Sequence, residues 1–259
     1  MEQKRYMEPL KMAGRLIMEN GGETYRVEET VRRMGEAFGL KEVESFAVPS
    51  GVFISFLAST GDTETAVLRV RKGATNLERV DAVNRISRKV EGGGMSPEDT
   101  LLALEEIASG GGKEKGLVRV LASALCAAGF AVMFHGGIAE AAIAAMVGAL
   151  IEGMNQALAR FHLQALVALL LGAFLATLIP DALLYAHLGR SFLLEAVVAG
   201  ALMPMLPGLA MTNAVSDTLR GDMVSGISHF AQAVLTAGLV AGGTLFATTL
   251  WRMLGGMMG

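Results

Sequence analysis

Met203-Pro-Met-Leu-Pro-Gly-Leu-Ala-Met-Thr-Asn-Ala-Val-Ser-Asp-Thr-Leu-Arg-Gly-Asp-Met-Val-Ser-Gly226 sets two prolines and a glycine in an uncharged run and closes it with a polar, charged cluster. A proline lacks the amide that a helix needs and clashes with the preceding turn, so Pro204 and Pro207 with Gly208 predict a break. In hydrocarbon, the backbone groups freed by a break must be met by protein or water. Such interrupted helices line sites in secondary transporters, and a kink filled by a neighbouring helix is the alternative.

The surrounding charge makes hydrocarbon the relevant solvent. Residues 1 to 116 hold 17 Lys and Arg with 19 Asp and Glu, whereas residues 117 to 259 hold 5 and 6. This asymmetry predicts an α-helical integral membrane protein with a soluble N-terminal α/β domain at 1–112 and a transmembrane domain at 113–259. Five spans are expected, at about 117–134, 139–158, 163–180, 192–212 and 224–250. Lys113, Lys115 and Arg119 precede the first span and place the soluble domain in the cytoplasm by the positive-inside rule. The C-terminus is then outside, unless the fourth span is re-entrant. No cleavable signal peptide is expected at the charged start.

In the soluble part, Pro9 is expected in the first turn of a helix that turns Met12, Ala13, Leu16 and Ile17 inward and stops at Asn20-Gly21-Gly22. Val27, Val31, Met34 and Phe38 mark a second helix. Val43–Val48, Val52–Leu57 and Thr65–Val70 read as adjacent antiparallel strands. Leu77, Val80, Val83, Ile86 and Val90 mark a third helix, and Ser96-Pro97-Glu98-Asp99 opens a fourth with a cap, a first-turn proline and a box acid. Gly110-Gly111-Gly112 reads as a linker. In the membrane part, small residues recur every fourth position, at Ala141, Ala145, Ala149 and Gly153, at Ala196, Gly200, Pro204 and Gly208, and at Gly238 and Gly242. Such rows predict close helix packing. Cys126 is expected to pack.

Candidate pathway residues are those that are polar or helix-breaking inside uncharged spans. Asn213, Asp217 and Arg220, four and three apart, share a helical face on which acid and base can pair or hold a zwitterion. Asp222, Ser225, His229, Gln232 and Thr236 form a stripe entering the fifth span, with His229 able to relay protons and Asp222 able to cap the helix. Glu140 lies just inside the outer boundary, suited to substrate or proton contact or to interfacial solvation. His135, His162 and His187 fall at span ends and read as interfacial. Ser50 has no histidine in its domain and no nucleophile elbow, which argues against an enzyme. No cofactor, metal-ligand spacing or phosphate loop is expected, and balanced charge excludes a nucleic-acid footprint.

Ala13-Gly14-Arg15-Leu16, Glu19-Asn20-Gly21-Gly22-Glu23-Thr24-Tyr25-Arg26-Val27-Glu28-Glu29-Thr30, Val48-Pro49-Ser50-Gly51-Val52-Phe53, Phe134-His135-Gly136-Gly137, Pro207-Gly208, Asn213, Asp217, Gly221-Asp222 and Ser225-Gly226 together resemble the bacterial threonine/serine exporter family, in its N-terminal half. The resemblance implies a proton-driven secondary exporter of small hydrophilic metabolites, threonine and serine or a dicarboxylate such as succinate, in the inner membrane. It also implies a second small membrane subunit that supplies the other half; a homo-oligomer is a further option. A non-transporting membrane regulator that uses the soluble domain to bind a ligand is the alternative reading.

Overall fold

The computed structural model describes residues 2–58, 61–70, 75–110, 116–161, 165–185 and 193–258. Gly111 and Gly112 of the expected linker, Lys113, Lys115, His162, His187 and Arg190 lie outside the described residues. The chain forms two compact units, Met1–Gly112 with Ala210–Phe230, and Lys113–Leu209 with Ala231–Gly259.

The first unit contains α1 (Glu2–Glu19), α2 (Thr24–Ala37), β1 (Lys41–Val48), β2 (Gly51–Leu57), β3 (Thr63–Arg69), α3 (Leu77–Glu91) and α4 (Pro97–Ser109). The strands form one antiparallel sheet in the order β1-β2-β3, with Ala47 opposite Val52 and Ile54 opposite Ala66. Alternation turns Val43, Ala47, Val52, Ile54, Phe56 and Leu68 toward the helices, where they meet Leu10, Ile17, Val27, Met34 and Leu104. Phe46, Phe53 and Val67 share the opposite face and are exposed. Ser96 caps α4, accepting from the Asp99 amide at 3.2 Å, and Asn76 caps α3, accepting from the Arg79 amide at 3.1 Å. Pro9 lies inside α1 and not in its first turn. The turn before it is held by packing: Met7 is buried and the Tyr6 ring lies 6.2 Å from that of Phe38, which outweighs one lost helical amide.

Beyond these come α5 (Gly116–Met133), α6 (Ile138–Arg160), α7 (Ala165–Tyr185), α8 (Leu194–Leu202), a 3-10 turn (Met203–Met205), α9 (Gly208–Leu219) and α10 (Met223–Met258). Gly116–Met133, Ile138–Arg160, Ala165–Tyr185 and Met223–Leu254 are long and apolar enough to cross a membrane. Leu194–Met205 and Gly208–Leu219, bent by 55° at the Leu206-Pro207 break, bring the number to as many as five. The expected break is therefore present. By length and composition this is a mostly helical membrane protein with a small sheet.

The helices of the second unit pack through small residues, but not through all of the expected rows. At Gly200 a Cβ would stand 2.7 Å from the Ala127 carbonyl oxygen, and Ala196 is buried. On α6 the buried row is Ala144, Val147, Gly148 and Ile151, so the expected Ala141–Gly153 row is displaced around the helix. On α10 the close approach is at Gly243, where a Cβ would meet the Leu170 carbonyl oxygen at 2.5 Å, while Gly238 and Gly242 face open space. Pro204 and Gly208 are exposed and extend no ridge. Four-residue spacing fixes that a row shares a face, not which face is covered. Cys126, expected to pack, is exposed because the buried face of α5 carries Ala127 and Ala131.

Candidate functional site

Two turns of the same chemistry build the site. After α9, Gly221 adopts φ +88°, its amide donates to the Thr218 carbonyl (3.1 Å), and the Asp222 amide donates to that of Asp217 (2.9 Å). This is a Schellman stop, which needs a residue free to take positive φ. After α1, Gly21 (φ +81°) and Gly22 repeat it, with Gly22 donating to Ile17 at 2.9 Å. The first turn folds α9 onto α10 so tightly that a Cβ on Gly226 would meet Thr218 Oγ1 at 2.3 Å. The second turn delivers Thr24, the first residue of α2.

Asp217 is fully buried, and its carboxylate is shared. The Thr24 hydroxyl donates to Oδ1 at 3.1 Å, and His229 Nδ1 lies 2.9 Å from Oδ2. An ionised carboxylate only accepts, so Nδ1 carries the hydrogen when Asp217 is charged. The second carboxylate, Asp222, lies 3.4 Å from the same Thr24 oxygen. Both acids therefore stand at the N-terminus of α2, the positive end of its dipole. Asn213 is also buried, one turn before Asp217.

Glu28, one turn along α2 from Thr24, completes the cluster. Its Oε1 accepts the Ala47 amide at 2.8 Å, while Ser225 Oγ donates to the Ala47 carbonyl at 3.3 Å. Ala47 sits on β1, an edge strand whose outward backbone groups need partners, and α2 with the start of α10 supplies them. Burial raises the Glu28 carboxyl above its usual range, opposed by the Ala47 amide and reinforced by the charges of Asp222 and Asp217. The result is three carboxylates, one imidazole and two hydroxyls, drawn from α2, α9, α10 and the turn between the last two, around one edge residue of β1. Such a set can hold and exchange protons.

Arg220 does not pair with Asp217 as its spacing allowed. It stands one residue past the end of α9, and its guanidinium stacks 3.6 Å above the Tyr25 ring instead. The polar stripe on α10 is divided: Asp222, Ser225 and His229 face the cluster, whereas Gln232 is exposed. In the second unit, Glu140 uses both oxygens on backbone, accepting from Gly137 (2.8 Å) and Leu193 (3.0 Å), which ties the turn before α6 to the start of α8. Pro207 is half-buried at the break. Among the described residues, no group of three or more His, Cys, Asp or Glu is arranged to hold a metal ion.

A protein-family profile described as "Putative threonine/serine exporter" matches residues 10–251, nearly the whole chain. The chain belongs to the threonine/serine exporter family. Similar proteins include the "Probable threonine/serine exporter" of Mycobacterium tuberculosis, 23% identical over 229 residues, which cover 88% of this chain and 43% of that protein. The "Threonine/serine exporter" of Corynebacterium glutamicum is 28% identical over 178 residues, 67% of this chain and 36% of that protein. The "Probable succinate transporter subunit YjjP" of Escherichia coli is 26% identical over 254 residues, 93% of each chain. This exporter-family chain thus spans less than half of the two exporters it matches and almost all of the subunit. No solved structure matches it. Membership makes it a membrane transport protein.

Thr24, Tyr25 and Glu28 were absent from the sequence-derived candidates, because a threonine and a glutamate in an amphipathic helix carry no local sign of function. They do lie in the Glu19–Thr30 stretch that carries the family resemblance, which was the available signal.

Proposed function

We propose that this chain is one subunit of a proton-coupled secondary exporter that moves threonine, serine or a dicarboxylate such as succinate out of the cell, paired with a second small membrane subunit. Its N-terminal unit is in the cytoplasm of a bacterial inner-membrane protein. The observation that carries the reading is the buried Asp217 carboxylate, held between His229 and Thr24 in a chain whose relatives are named as exporters and a transporter subunit. A buried acid bonded to an imidazole can release or take a proton with little movement, as coupling requires. In the first unit the pathway residues are Asn213, Asp217, Asp222, Ser225 and His229, with Arg220 after Asp217 in the chain; in the second unit Pro204, Pro207, Gly208, Gln232 and Glu140 are the further candidates, each to be tested by substitution in the same efflux assay. The test is efflux of labelled threonine, serine and succinate from cells expressing the chain with and without its neighbouring membrane subunit. Asp217→Asn should abolish the gradient-driven part for whichever substrate is exported; unchanged efflux of all three would sink the assignment.

A further inference from the structure

We infer that Thr24 and Glu28 of the soluble unit are positioning residues for the Asp217–His229 pair, and that with it they form a protonation-dependent clamp of α2 and β1 on the α9–α10 hairpin. This deepens the exporter reading and rests on it for its role in transport, but the clamp itself is a property of the first unit alone.

Three observations support it. The Thr24 hydroxyl spans 193 residues of sequence to reach Asp217 and is within reach of Asp222 as well, so one donor organises both acids. Thr24 and Asp217 are both fully buried, so neither can turn to solvent without opening the hairpin. The two backbone groups of Ala47 are divided between Glu28, on α2, and Ser225, on α10. Releasing the hairpin therefore frees an edge-strand carbonyl and a buried carboxylate together, which makes opening cooperative.

The charges facing the cluster set the sign. α2 contributes Glu28, with the Glu23–Arg26 ion pair beside it; α9 contributes Asp217; the turn contributes Asp222 and Arg220, the latter held on Tyr25; α10 contributes His229. β1 contributes Ser45, donating to the Glu28 carbonyl at 3.3 Å, the backbone of Ala47, and Glu44, which lines the cleft beside Glu28 together with Glu29 and Arg32 of α2. Protonating Glu28 removes a negative charge from beside Asp217 and Asp222, which outweighs the weakened bond from the Ala47 amide, and so tightens the clamp. Loss of that proton leaves three carboxylates together and loosens it.

The experiment is hydrogen–deuterium exchange read by mass spectrometry on the full-length chain in lipid nanodiscs, from mildly acidic to mildly alkaline pH, corrected for intrinsic amide exchange. Peptides covering 24–28, 43–48 and 213–229 should open several-fold more readily at the alkaline end. Glu28→Gln should flatten that slope, Thr24→Val should raise opening at every pH, and Thr24→Ser should restore the native profile. Native exchange that does not vary with pH, a Glu28→Gln variant that keeps the native slope, or Thr24→Ser behaving as Thr24→Val overturns the proposal. Efflux is measured in parallel: its absence from the native chain with its partner sinks the exporter reading and leaves the exchange result to decide the clamp, so the two fail separately.

Discussion

The two compact units solve packing in opposite ways. In the first, the buried residues are large: Leu10, Ile17, Met34, Phe56 and Leu104 are almost completely covered. In the second most are alanines, among them Ala127, Ala131, Ala144, Ala173, Ala176 and Ala247, with Val147, Ile151, Val197 and Val240 the larger exceptions, and Gly148, Gly200 and Gly243 stand where a Cβ would press on a neighbouring backbone. Water rewards removal of apolar area, so a core of bulky side chains is what a unit surrounded by water would collect. Lipid is as apolar as leucine and gives no such reward, so helices in it gain by close backbone approach. The edge contact between Tyr185 and Trp251, 5.6 Å between rings, adds an aromatic anchor of the kind found at membrane interfaces.

The sharpest way to break the contrast is to shrink a large residue in the first unit. Phe56→Ala, at the centre of the sheet's inner face, should cost about 3–5 kcal/mol, measured by denaturant unfolding followed on the first unit's tertiary signal. Matched for size and burial, Val147→Ala in the second unit should cost clearly less than Val83→Ala in the first. The complementary change enlarges a glycine. Gly243→Val should destabilise the helical unit by about 1–3 kcal/mol in a detergent unfolding assay, while Gly242→Val, facing open space, should be near neutral. Equal effects at 242 and 243 would refute the assignment of the packed face.

The smallest expected effect concerns the charged cluster. Because the folded Glu28 carboxyl titrates above its usual range, it gives stability that is fully present below the ordinary glutamate value and lost as pH rises through the raised one. The thermal midpoint of the first unit should therefore fall as pH rises from mildly acidic toward neutral, and Glu28→Gln should remove that part of the dependence. A midpoint whose pH dependence is the same in Glu28→Gln and the native chain would contradict it.

Much of the architecture was legible in the residues. Strand positions followed from the β-favouring runs Val43–Val48, Val52–Leu57 and Thr65–Val70, and the α4 start followed from Ser96 and Pro97, because strand-favouring runs and caps act over a few residues. The proline break was legible for the same reason. What misled was anything that required knowing which side of a helix is covered: the Ala141 and Gly238 rows, Cys126, the Pro9 helix start and the Asp217–Arg220 pairing. Each depends on a neighbour far away in sequence.

Sequence alone determined that apolar, nearly uncharged helices follow a charged α/β segment, that the Met203–Gly226 run is broken and ends in acids, and that the chain resembles an exporter family, since composition, backbone stereochemistry and ordered motifs are properties of the chain itself. Only the tertiary structure decided that residues 210–230 join the N-terminal compact unit, that Asp217 takes His229 and Thr24 and not Arg220, and that Glu28 covers the edge of β1. A buried carboxylate must find its donors wherever the fold brings them, and here one came from 193 residues away.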